Sequence, residues 1–233
     1  MTDSTQGSQG SDDSSEMELI LEIACNVADT LEEAVGLGEE DLLRVALLTL
    51  ERVQVEESVE VSLLVTDDEG LRELNRDFRG RDEATDVLSF PLLDTPLVEA
   101  PADELWQPGE NGAIAAEADA AMGQDDQGQA SLTAADEEEG ESGDDDDDDD
   151  DDDDEYAEDD EEDAPLHLGD IAISRDAVVR QAQAAGHSVA WECAYLFAHG
   201  LLHLVGYDDS TDAGYQAMVA HQEAVLAEAH IAR

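Results

Sequence analysis

The sequence predicts a small α+β domain interrupted by a long acidic insertion, and three observations predict it. Segments in which apolar residues alternate singly are interspersed with segments of helical repeat. Their order is strand, helix, strand, helix, strand, then after a gap strand and three helices, which suits helices packed on a short sheet. The gap, residues 92–164, holds 32 of the chain's 64 acidic residues and none of its nine arginines, so it has little to bury.

Residues 1–16, rich in Ser, Asp, Gly and Gln, are expected to be a disordered tail. The apolar run Leu19-Ile20-Leu21 with Ile23 marks a first strand within residues 17–25. Residues 39–53 place Leu43, Leu47, Leu50 and Val53 at helical spacing behind acids in the first turn, where the helix dipole favours them. Val59, Val61, Leu63 and Val65 alternate with Glu60 and Ser62, the pattern of a strand with one buried face, and give the clearest strand. Thr66 or Asp67 is placed to cap a helix carrying Leu71, Leu74 and Phe78 on one side, and Thr85 to Phe90 resumes as a strand ended by Pro91. The insertion culminates in eleven consecutive aspartates, Asp144 to Asp154, whose mutual repulsion leaves nothing to offset chain entropy. Structure is expected to return with a strand over residues 168–174 and a helix to Ala185, capped by Ser174 or Asp176 and stopped by Gly186. Ser188 then caps a central helix bearing Tyr195, Leu196, His199, Leu202 and His203. A last helix from about Thr211 carries Tyr215, Met218, Gln222, Val225 and Leu226. One domain is thus expected over residues 17–91 and 165–233, with 92–164 a disordered acidic insertion.

The net charge is −55, and the chain has no lysine. Outside the insertion the other 32 acids face nine arginines, which leaves that part at −23. A carboxylate-coated surface of this kind suits a protein kept soluble in very high salt, where charge is screened within about 3 Å at 1 M, and a salt-loving host is expected. Cys25 and Cys193 lack any CxxC spacing, so neither a disulfide framework nor a zinc knuckle is indicated, and a reducing cytoplasm fits. No signal-peptide pattern opens the chain and no apolar run reaches the roughly 18 residues of a membrane helix, so a cytoplasmic protein without a membrane partner is expected.

Chemistry concentrates in His199-Gly200-Leu201-Leu202-His203-Leu204-Val205-Gly206-Tyr207-Asp208-Asp209. Histidines four apart on a helix project from one face and can grip one ion together. Gly206 ends the helix and turns the chain back, so that Asp209 can supply a third ligand. Three protein ligands with an open fourth position characterise a catalytic rather than a structural zinc site. Zinc peptidases carry glutamate, their general base, immediately after the first histidine; Gly200 stands there instead, which argues against peptide hydrolysis. Upstream, Arg76, Arg79 and Arg81 fall within six residues of a chain poor in cations. Guanidiniums bind phosphate through paired hydrogen bonds, and Arg79, followed by Gly80, is the strongest candidate; salt bridges to nearby acids are the competing role for Arg76 and Arg81.

Residues 73–82, 85–91, 168–174 and 199–209 resemble, in this order, the successive signatures of the YbeY family of bacterial endoribonucleases. The resemblance extends over about residues 17–91 and 165–229. It implies a zincin-like fold with a four-stranded mixed sheet, a single zinc ion, and single-strand-specific endoribonuclease activity. The implied role is maturation of the small-subunit (16S) rRNA 3′ end and ribosome quality control, with rRNA and the small ribosomal subunit as partners and no DNA. By resemblance, His199 and His203 match the first two zinc ligands and Arg79 the arginine required for RNA cleavage. The family usually has histidine where this chain has Asp209, a harder, anionic ligand that lowers the Lewis acidity of the ion and shifts preference toward manganese. Asp208 is the second choice of ligand. A non-catalytic ribosome assembly factor, in which the metal only braces the fold, is the alternative. The acidic body should repel a phosphate backbone, an effect that high salt weakens.

Overall fold

The computed structural model describes residues 17–107 and 164–233; the expected N-terminal tail and most of the acidic insertion lie outside the described residues. Four strands, β1 (Leu19–Cys25), β2 (Val59–Thr66), β3 (Val87–Pro91) and β4 (Leu166–Ser174), form one mixed sheet in the order β1-β2-β4-β3. β1, β2 and β4 run parallel, and β3 joins the far edge antiparallel to β4. The helices are α1 (Leu31–Val35), α2 (Glu39–Arg52), α3 (Asp68–Arg79), α4 (Arg175–Ala185), α5 (Val189–Val205) and α6 (Asp212–Glu228). This is the expected α+β order with one addition, the single turn α1, too short to show a helical repeat.

Where two capping residues were possible, the structure selects one. The Asp67 carboxylate accepts from the Gly70 amide at the start of α3, and the Ser174 hydroxyl accepts from Ala177 at the start of α4. Ser188 and Thr211 cap α5 and α6 in the same manner, each satisfying an amide that the first helical turn leaves without an internal partner.

The alternation of β2 places Val59, Val61, Leu63 and Val65 on the main core, where α2, α5 and α6 pack. α5 runs through the middle of this layer, touching β3, β4, α2, α4 and α6, and is buried along almost its whole length. On α2 the buried stripe is Leu42, Val45, Ala46, Thr49 and Leu50, whereas Leu43 and Leu47 are half-exposed. The expected stripe is therefore rotated: the run Leu42-Leu43-Arg44-Val45-Ala46-Leu47-Leu48 carries apolar residues on most sides, and contact with α5 and α6 decides which face turns in. The opposite face of the sheet is covered in part by α3, through Leu71 and Leu74 against Leu64, Leu88, Phe90 and Ala172. Phe78, expected on the buried side of α3, is 66% exposed because the end of the helix overhangs the sheet.

Residues 92–107 correct the expected boundary of the insertion. They run as a strap along the C-terminal end of α5 and bury Val98 and Trp106. Their two prolines and scattered acids hide this role, since the strap uses backbone groups more than apolar side chains. The Leu97 amide donates to the Val205 carbonyl and the Trp106 amide to that of Gly206, and Leu105 forms an antiparallel bridge with Tyr207.

Candidate metal centre

His199 and His203 lie one turn apart on α5, their Nε2 atoms 3.1 Å from each other. Gly206, at φ 129°, ends the helix in a conformation that side chains rarely adopt, and a β-carbon there would collide with Pro96 of the strap. The chain then returns so that Asp209 sets one carboxylate oxygen 3.6 Å from His199 Nε2 and the other 3.9 Å from His203 Nε2. Among the described residues, these three side chains form a group whose ligand atoms all fall within 4.8 Å of one another.

The surrounding hydrogen bonds orient both rings. His203 Nδ1 is 2.9 Å from the Tyr207 carbonyl oxygen, which accepts its proton and leaves Nε2 as a lone pair facing the site. His199 Nδ1 lies 3.5 Å from Gln222 Oε1, and the Gln222 amide nitrogen donates to the Tyr195 carbonyl, so the carbonyl end of this buried glutamine faces the ring. Burial holds both imidazoles well below the usual histidine range, to about 3 at His199 and about 4 at His203; at His203 the Tyr207 carbonyl and the charge of Asp208 oppose it, and the charge of Arg79 adds to it least.

Two neutral imidazoles that point lone pairs at each other beside a carboxylate form a donor set for a cation. Imidazoles bound to zinc at about 2.0–2.1 Å in tetrahedral geometry stand roughly 3.3 Å apart, close to the spacing here. The histidine side chains are almost wholly enclosed, whereas that of Asp209 is 15% exposed, so the site opens to solvent on the carboxylate side.

Asp208, the second choice of ligand, is not in that group: its carboxylate accepts from the Ser210 amide and hydroxyl, and its own amide donates to Glu104 of the strap. Gly200 sits where α5 approaches the sheet most tightly. A β-carbon there would stand 2.9 Å from Ile171 Cγ2 and 3.1 Å from Ser89 Oγ. The glutamate of a zinc peptidase at this position would thus run into the sheet.

Arg79 is the last residue of α3, partly buried, and its charge reaches His203. Arg72 forms a bidentate pair with Asp82 at 2.7 and 3.0 Å, and Arg76 pairs with Asp77 at 3.0 Å. The salt-bridge role therefore holds for Arg76, and Arg81 lies exposed beyond the C-cap. Sequence reasoning missed Gln222 as a ring-orienting group, although an amide in an apolar stripe was the available signal. It also missed Trp106, whose indole N–H donates to the His203 carbonyl at 3.1 Å and so braces the histidine from its backbone. Nothing in the local pattern ties Trp106 to a residue 97 positions away.

Fold and site together define a class: a small α+β domain with a buried two-imidazole, one-carboxylate donor set and an arginine whose charge acts on it. A family model described as Endoribonuclease YbeY matches residues 32–230. A protein named Endoribonuclease YbeY from Roseiflexus sp. is 34% identical over 181 residues, covering 76% of this chain and 75% of the relative. Relatives of the same name from Moorella thermoacetica and Bacillus cytotoxicus are 35% and 28% identical, over 72% and 90% of this chain and 71% and 96% of their own lengths. The chain belongs to the YbeY endoribonuclease family. Among the described residues no helix is long and apolar enough to cross a membrane.

Proposed function

We propose that this chain is a metal-dependent endoribonuclease that matures the 3′ end of small-subunit (16S) rRNA in the cytoplasm. His199, His203 and Asp209 would hold one divalent ion, zinc by the donor set, and Arg79 would bind the scissile phosphate. The observation that carries this reading is the pair of facing imidazoles closed by Asp209. When bound, the ion supplies Lewis acidity toward a phosphoryl oxygen and toward water. The chain's own residues supply the rest. Tyr207 and Gln222 hold the two rings in the ligating tautomer, and the Asp209 side, where the site reaches solvent, admits the substrate. The Arg79 guanidinium is suited to stabilise charge that grows on the phosphate oxygens as the ester bond breaks.

Chelation tests it. Protein treated with a strong chelator and dialysed is expected to lose cleavage of single-stranded RNA with its metal and to regain it when one equivalent of zinc or manganese returns. Undiminished cleavage by the metal-free protein would overturn the reading.

We also propose adaptation to high salt, supported by the net charge of −55 and the absence of lysine. The melting temperature is expected to rise steeply from dilute buffer to molar KCl as carboxylate repulsion is screened. Equal stability in both would count against it.

A further inference from the structure

The face of the sheet turned away from α5 carries an open apolar groove of about 740 Å³ beside α3. That volume lies within the roughly 300–1,000 Å³ of pockets that take small organic ligands. Leu64, Leu74, Phe78, Phe90 and Leu92 wall it, and Glu22 and Asp170 are its acidic groups. Phe78 and Phe90 pack edge to face, ring centroids 5.2 Å apart, yet Phe78 is 66% exposed and Leu92 59%. An exposed phenylalanine is costly, and this chain has only three.

Two connections tie the groove to the metal centre. Phe78 immediately precedes Arg79, the residue proposed above to bind the scissile phosphate, in the last turn of α3. Edge strand β3 separates the two regions by its own thickness: the Ser89 hydroxyl donates to the Gly200 carbonyl of α5, while the adjacent Phe90 turns to the groove. A polymer crossing the β3 edge would meet both.

We infer that the Phe78–Phe90 pair is a stacking platform for an unpaired RNA base that flanks the phosphate held at Arg79. This rests on the nuclease reading above. The chemistry of the groove selects a base over a backbone. Asp170, the register partner of Phe90, repels phosphate but accepts hydrogen bonds from exocyclic amino groups, as on adenine, cytosine and guanine, whereas the guanidinium lies at the phosphate end. Stacking requires a base splayed out of a helix, so the platform favours single strands over duplex. It also answers the charge of this chain. With a net charge of −55, and with Arg72 and Arg76 paired to carboxylates, little affinity is available from counterion release, and an apolar stack keeps its strength where salt screens ionic contacts.

The test uses the full-length, metal-loaded protein and a single-stranded 2′-O-methyl RNA dodecamer carrying 2-aminopurine, which resists cleavage and reports stacking by fluorescence quenching. Wild type is expected to quench the probe. Phe78→Ala is expected to weaken binding about 10-fold and abolish most quenching, by a similar factor in dilute and in molar KCl. Phe78→Trp should restore both. Because Phe78 is largely exposed, metal content and circular dichroism should stay at wild-type values in both variants. If Phe78→Ala binds and quenches as wild type does, the platform is wrong and the groove serves another partner, such as a protein side chain. If the metal-loaded wild type binds no RNA at all, the nuclease reading falls and takes the platform with it.

Discussion

Replacing Asp209 by alanine is expected to weaken metal binding by at least about 100-fold and to abolish RNA cleavage at low metal concentration. Loss of groups that only orient metal ligands already costs about 10–100-fold, and Asp209 is placed to touch the ion itself, within 4 Å of both imidazole Nε2 atoms. His203→Ala should show a comparable loss. Asp208→Ala should not, because the Asp208 carboxylate is engaged by Ser210 and lies outside the group formed by the other three side chains. Asp209→His is the informative restoration: it keeps a third ligand while removing the anion, so zinc content should persist and preference should move from manganese toward zinc. Elemental analysis together with cobalt absorption spectra would read all four variants. Full metal content in Asp209→Ala would show that the third ligand lies elsewhere.

Arg79→Ala is expected to lower the cleavage rate about 10²–10³-fold, the usual cost of losing a group that stabilises transition-state charge. The fold should survive it. The C-cap of α3 depends on the left-handed Gly80, whose amide donates to the Arg76 carbonyl, and not on the Arg79 side chain. Metal content should be unchanged, since Arg79 is not one of the three side chains grouped to hold the ion. Arg79→Lys should recover a small part of the rate, because an ammonium keeps the charge but loses the paired geometry of a guanidinium. Single-turnover cleavage of an RNA spanning the 3′ end of 16S rRNA, measured beside association with small subunits, separates the two family roles. Lost cleavage with retained association marks an enzyme. Unchanged cleavage would remove Arg79 from the reaction and favour an assembly factor with a structural ion.

Both variants probe a site held from two directions. α5 supplies the histidines and is pressed onto the sheet at Gly200, so their height above β3 and β4 is set by the absence of a side chain there. The strap of residues 92–107 secures the other end, pairing Leu97, Trp106, Leu105 and Glu104 with Val205, Gly206, Tyr207 and Asp208. These bonds satisfy carbonyls that a helix C-terminus leaves open and fix the loop on which Asp209 is carried.

The sequence by itself determined the order of the strands and the longer helices, the Ser188 cap and the histidine pair, because these depend on neighbours within one or two helical turns. The alternation of Val59 to Val65 and the spacing of His199 and His203 translate directly into a shared face through backbone geometry. The tertiary structure alone decided three things. It brought Asp209, the first choice of the sequence, and not Asp208 into one group with both histidines, since the turn after Gly206 is set by a strap about 100 residues earlier in the chain. It rotated α2 to bury Leu42 and Val45 in place of Leu43 and Leu47, because a run apolar on most sides leaves the choice to whatever packs against it. And it left Phe78 in the open, because a helical repeat shows which residues share a side but not where the sheet beneath them ends.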